Sequence, residues 1–115
     1  MKGMLQIALS TAIQAVHANV FNKHVTVVFK ADLDTVTPIL GKEVEVTLVS
    51  EHVDDKGQAV RVKYDEWLME MANKEPHITI SCAEGTKPMY SNELIKNEGV
   101  PIDGTITGVL KFKEF

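Results

Sequence analysis

Two of the chain's four histidines sit in matching settings: His24-Val25-Thr26 opens the run HVTVVF, and His77-Ile78-Thr79 opens HITIS. In each, histidine is followed by an apolar β-branched residue and then by threonine. An imidazole titrates near pH 6.5, so it can accept or give a proton close to neutrality. Displacement at phosphorus needs both acts, one proton taken from the nucleophile and one delivered to the departing oxygen. Two histidines can divide that work. Two threonine hydroxyls can donate hydrogen bonds to the non-bridging oxygens, where negative charge must be held. The other two histidines, His17 in HAN and His52 in HVD, lack the pattern.

The chemistry requires strands to present these groups. Lys23–Lys30 holds three valines, a threonine and a phenylalanine, and reads as a strand, as does His77–Cys82. Alternation then places His24, Thr26, Val28 and Lys30 on one face, with Val25, Val27 and Phe29 on the other. It likewise sets His77, Thr79 and Ser81 against Ile78, Ile80 and Cys82. Each strand thus offers a His/Thr face backed by an apolar one. Side chains two apart lie roughly 6–7 Å from each other, so both can reach one tetrahedral phosphate.

The remaining elements frame these strands. Met4–Leu9 is a first strand, and Ser10–Phe21 has apolar residues at roughly helical spacing. Asp34–Leu40 predicts a short helix closed by Gly41. Glu43–His52 and Gln58–Lys63, joined by the turn Asp54–Gly57, predict a hairpin. Asp65–Asn73 predicts a helix capped by Asp65, with Trp67, Leu68 and Met71 on its apolar side. Glu84–Tyr90 is a loop, Ser91–Asn97 a short helix and Thr105–Phe112 the last strand. The mixed order indicates an α+β fold with a largely antiparallel sheet.

Length and composition bound the rest. With 115 residues and 44% hydrophobic content, residues 1–115 fit one domain with a real core. A net charge of −4 disfavours a broad grip on long nucleic acid, yet leaves room for a nucleotide or an RNA end. The sole cysteine, Cys82, permits no internal disulfide and suits a reducing, cytoplasmic setting, where a buried thiol is the expectation. Polar residues interrupt the N-terminal apolar run, which reads as mature protein, and no membrane span is expected. A zinc site needs three or four clustered ligands, and no HxxxH or HxH occurs, so neither metal nor cofactor is expected.

HVTVVF and PHITIS resemble the paired H-x-[ST]-x signatures of the 2H phosphoesterase superfamily, which includes bacterial cyclic phosphodiesterase-type proteins, the cyclic phosphodiesterase domains of fungal and plant tRNA ligases, and phage enzymes that degrade cyclic oligonucleotide signals. The resemblance implies two pseudo-symmetric, antiparallel β-rich lobes with flanking helices around a central cleft. It implies His24 and His77 as the acid/base pair, and Thr26 and Thr79 as ligands of the phosphate oxygens. It further implies metal-independent opening of 2′,3′-cyclic phosphates, or cleavage of 2′-5′ or 3′-5′ bonds, in a nucleotide, cyclic oligonucleotide or RNA end.

Plainer readings stand beside this one. Either His-x-Thr alone is most simply a satisfied strand histidine. In the loop after the second motif, Lys87 and Tyr90 are substrate-binding candidates, an ammonium for a phosphate and a ring for a base. Their plain reading is a solvated lysine and a half-buried tyrosine. Trp67 is more simply core than a stacking platform. The rival function is a non-catalytic nucleotide- or protein-binding module of the same fold, and a third reading is an unrelated α+β interaction domain whose histidines lie far apart. A monomer is expected.

Overall fold

Strands dominate because β-branched residues alternate with polar ones over most of the chain. The computed structural model describes residues 1–115. In chain order it contains β1 (Lys2–Leu9), β2 (Asn19–Val20), β3 (His24–Asp32), α1 (Leu33–Val36), β4 (Glu43–Val53), β5 (Gly57–Lys63), α2 (Glu66–Met71), β6 (His77–Cys82), α3 (Ser91–Leu94), β7 (Val100–Pro101) and β8 (Thr105–Glu114). Two single 3₁₀ turns, Thr37–Ile39 and Pro88–Tyr90, extend α1 and precede α3. The architecture is therefore β-rich with a few short helices. No helix is long and apolar enough to cross a membrane.

Every strand pairing is antiparallel. Six strands run β6-β3-β1-β8-β4-β5 and return to β6, which closes the sheet into a barrel. Closure leaves these six strands no free edge. Inward positions fill the interior: Leu5 and Ile7, Val25 and Val27, Val44 and Val46, Val60 and Val62, Ile78 and Ile80, and Leu110 are all buried. Leu68 of α2 and Val36 of α1 join that core. Outside the wall, Leu94 and Ile95 pack with Ala59 in a smaller cluster. Two pseudo-symmetric lobes around a central cleft are not shown by this topology, in which the two motif strands, β3 and β6, are neighbours in one ring.

Three local expectations change for physical reasons. Ser10–Phe21, which apolar spacing alone left ambiguous, forms no helix, because buried side chains hold its backbone instead. The Gln58 carboxamide accepts from Val16 N–H at 3.0 Å and donates to the Gln14 carbonyl at 3.1 Å, while Ser81 Oγ accepts from His17 N–H at 3.1 Å. The helix expected over Asp65–Asn73 shortens to Glu66–Met71, and the Asp65 side chain makes no capping bond. So short a helix fully buries only Leu68; Trp67 is 40% exposed, with the Lys42 ammonium 5.5 Å from its ring centroid. Cys82 is buried as expected, and burial pushes its thiol pKa up.

The third change concerns β3. Its register against β1 slips twice, between Leu5 and Gln6 and between Gly3 and Met4. A β-bulge adds a residue to one strand and reverses the alternation beyond it. The expected faces hold through Val27 and then exchange. Val28 packs against the core, Phe29 turns outward, and Lys30 takes a left-handed conformation with φ 63°. A third slip, between Gln58 and Ala59 on the β5–β6 pairing, accompanies the withdrawal of Ser81 from the outer face. Ser81 is fully buried and donates to Gln58 Oε1 at 2.7 Å.

Gln58 therefore ties three segments together. Replacing it by leucine keeps the volume but strands the polar groups of Val16, Gln14 and Ser81. Gln58→Leu is expected to lower unfolding free energy by about 1–3 kcal/mol in urea titration.

Candidate active site

The site begins with one pair of residues. Val25 and Ile78 are the only residues that pair β3 with β6, and both are buried in the barrel. Their neighbours on each side point outward. One step along the antiparallel register, Thr26 stands opposite His77 and His24 opposite Thr79. The two tripeptides are thus related by an approximate two-fold axis through the Val25–Ile78 pair. The histidines occupy one diagonal of the quartet and the threonines the other. Diagonal neighbours across an antiparallel pair are roughly 7–8 Å apart, a span that allows two imidazoles to flank one phosphorus.

Beyond that single pair the strands part, and side chains and loops fill the gap. Asn73, just after α2, acts as a surrogate strand. Its amide nitrogen donates to the Phe29 carbonyl, and Phe29 N–H donates to its amide oxygen, both at 2.8 Å. Asn73 N–H also donates to the Val27 carbonyl at 3.2 Å. At the other end Phe21 N–H donates to the Ile80 carbonyl at 2.8 Å. These bonds set Lys74, Phe29 and Phe21 around the quartet.

The result is a pocket of about 430 Å³ in the outer wall of the barrel. His24, Thr26, His77 and Thr79, all half-buried, form its polar floor. Met4, Phe21 and Phe29 supply apolar walls, and Pro88, Met89 and Asn92 overhang from the segment before and into α3. Lys74 completes the rim, its ammonium 5.3 Å from the Phe29 ring centroid. The volume falls within the range of small-ligand pockets and accommodates one nucleotide.

Burial lowers the pKa of both histidines. His24 is held below 6.5 chiefly by desolvation, with Lys113 and then His77 pushing the same way. Desolvation is also the main cause for His77; the Glu75 carbonyl and carboxylate oppose it, while Arg61 and Lys74 reinforce it. His77 Nδ1 lies 2.7 Å from the Glu75 carbonyl, which can only accept. The proton therefore sits on Nδ1 of the neutral ring, and Nε2 keeps its lone pair. His24 has no side-chain partner and is free to meet a ligand. No third protein ligand clusters with the pair to complete a metal site.

Arg61 supports this arrangement from β5. It stands opposite His77 in the register. One guanidinium nitrogen donates to the Glu75 carboxylate at 3.0 Å and another to the Ile95 carbonyl at 2.9 Å. Arg61 thereby fixes the residue whose carbonyl orients His77. It is the only arginine of the chain, and its fork geometry is what lysine cannot reproduce. That singularity was the available sequence signal. Phe21, Phe29, Lys74, Met89 and Asn92 carried none, because bulges and loop contacts bring them in.

Lys87 and Tyr90 line an adjoining depression with Lys56, Thr86 and Glu93, and only Met89 and Asn92 border both hollows. The Tyr90 hydroxyl donates to the Asp54 carboxylate, and that bond raises the phenol's pKa. The structure thus brings the four motif residues together and sets Lys87 and Tyr90 apart from them. Lys30 does not reach the pocket.

Residues 9–113, a span that includes both motifs, match the model of the fungal tRNA ligase phosphodiesterase domain. No curated protein and no solved structure matches.

Removing the guanidinium charge tests the electrostatics of the site. Arg61→Gln is expected to raise the pKa of His77 toward 6.5, since a neighbouring cation disfavours the imidazolium. His24 is expected not to follow, because Arg61 is not among the groups acting on it. An NMR titration of the ring protons measures both.

Proposed function

The chain belongs to the fungal tRNA ligase phosphodiesterase domain family, a 2H phosphoesterase family, and from that membership we propose that it hydrolyses a 2′,3′-cyclic phosphate at an RNA or nucleotide end. Membership supports a cyclic phosphodiesterase-type activity in general. The observation that carries the finer reading is the crossed quartet, with His24 and His77 on one diagonal of the β3–β6 seam and Thr26 and Thr79 on the other.

In the proposed reaction one imidazole takes a proton from water as its oxygen attacks phosphorus. One ring P–O bond breaks, and the second histidine, as imidazolium, protonates the ribose oxygen that leaves. The threonine hydroxyls donate to the two non-bridging oxygens as their charge grows. The phosphate stays on the other ribose oxygen as a monoester. Phe21 and Phe29 are the aromatic contacts for the nucleoside in this reading. Tyr90 is not, since its hydroxyl is engaged by Asp54 in the neighbouring hollow.

At pH 7 the lowered pKa values leave the acid to be charged mainly as substrate binds. With both values below 6.5, the free protein at pH 7 holds both rings mainly neutral. An anionic phosphate between them favours the imidazolium and raises the pKa of the acid. The singly protonated free form, which kcat/KM reports, is most abundant between the two pKa values. The optimum of kcat/KM is therefore expected below pH 6.5, with the alkaline limb of kcat displaced upward.

Turnover of a 2′,3′-cyclic nucleotide and of an RNA end bearing that group, assayed in EDTA, tests the reading. His24→Ala and His77→Ala are each expected to cost about 10²–10⁴ in kcat. Thr26→Val and Thr79→Val are each expected to cost about 10²–10³. Binding without product, or turnover that survives both histidine substitutions, would overturn the assignment.

A further inference from the structure

We infer that the outer wall formed by β1 and β8 is a subsite for the phosphodiester backbone that precedes the reacting nucleotide, with Lys111 and Lys113 as its phosphate ligands. This rests on the quartet being the site of hydrolysis. The two registers of β1 define rows of outward side chains. Gln6 pairs with Thr26 on one side and Lys111 on the other, and Met4 pairs with Phe29 and Lys113. Thr26 and Lys111 thus share one row and Phe29 and Lys113 the next. Each lysine is two strands from β3, roughly 10 Å across the wall at the usual strand spacing. That is the reach of a chain leaving the pocket, extended further by a lysine stem.

The charge pattern selects a polyanion. In a chain of net charge −4, Lys111 and Lys113 stand together on this wall and Lys74 on the opposite rim of the pocket, and none of them lies in an ion pair. Lys113 and Lys74 come close enough to lower the pKa of His24 and His77 respectively. Between Thr26 and Lys111, the amide nitrogen of Gln6 is buried with no hydrogen-bond partner. Glu43 and Glu45 on β4 stand opposite Val109 and Thr107. They form an acidic far edge and turn a nucleic acid strand along β8 toward Lys113. The other exit, past Met89 and Asn92, meets Glu93 beside Lys56 and Lys87 and carries no comparable excess of positive charge.

The test separates binding from chemistry. Affinity for a tetraribonucleotide ending in a non-cyclic 3′-phosphate is read by fluorescence anisotropy over a salt series. A mononucleoside 3′-phosphate competitor isolates the contribution of the pocket. Wild type is expected to prefer the tetranucleotide, with a log–log salt slope steeper by about 1.4, two single-strand phosphate contacts. Lys111→Gln with Lys113→Gln is expected to weaken tetranucleotide binding on the order of tenfold and to abolish the extra slope. Lys96→Gln, a single-charge control beside Glu93, should keep both. An unchanged slope in the double variant overturns the subsite whatever the turnover assay shows. Turnover absent from a protein that still loses this binding on substitution overturns the hydrolytic reading and leaves the polyanion site standing.

Discussion

The site depends on how the barrel closes. Five of the six seams in the ring are long ladders, whereas β3 and β6 meet through the single pair Val25–Ile78. Their side chains face inward and share the burial that holds the core together. That burial anchors the outward neighbours, so the positions of His24, Thr26, His77 and Thr79 follow from two buried hydrophobic residues. A longer ladder would have run strand against strand where the pocket now lies. The short seam leaves an opening, and Asn73 spans part of it by offering Phe29 the donor and acceptor that a missing strand residue would have given.

Desolvation and cations act together in that opening. Half-burial of the two imidazoles disfavours their charged forms, and Lys113, Lys74 and Arg61 add to the effect. A site so arranged holds positive potential on its lysines and arginine while burial disfavours charge on the histidines. Arg61 adds mechanical support, because its fork joins Glu75 to the end of α3 and keeps the carbonyl that orients His77 in place.

Much of this was legible in the residues. β-branched alternation located the motif strands and the hairpin, and the repeated His-x-Thr units marked the four polar groups that converge. Alternation failed where an extra residue entered the ladder. Val28 and Phe29 exchanged faces at a bulge that no glycine, proline or asparagine of β3 announced, and Lys30 holds a left-handed backbone without being a glycine. Apolar spacing over Ser10–Phe21 could not decide its structure, because a residue far along the chain, Gln58, supplies that segment's hydrogen bonds. The proximity of Lys111 and Lys113 to the first motif is a property of strand order in a closed ring, and spacing along the chain carries no trace of it.

The two-fold relation between the tripeptides has a consequence for regiochemistry. Rotation about the Val25–Ile78 axis exchanges His24 with His77 and Thr26 with Thr79, so the quartet presents the same groups to a cyclic phosphate in either orientation. In the proposed reaction, whether the 2′ or the 3′ oxygen departs would then be decided by what breaks the symmetry: Glu75 and Arg61 beside one imidazole, Lys113 beside the other, and the aromatic walls of the pocket. Product choice in such a fold can drift through peripheral substitutions while the four central residues stay fixed.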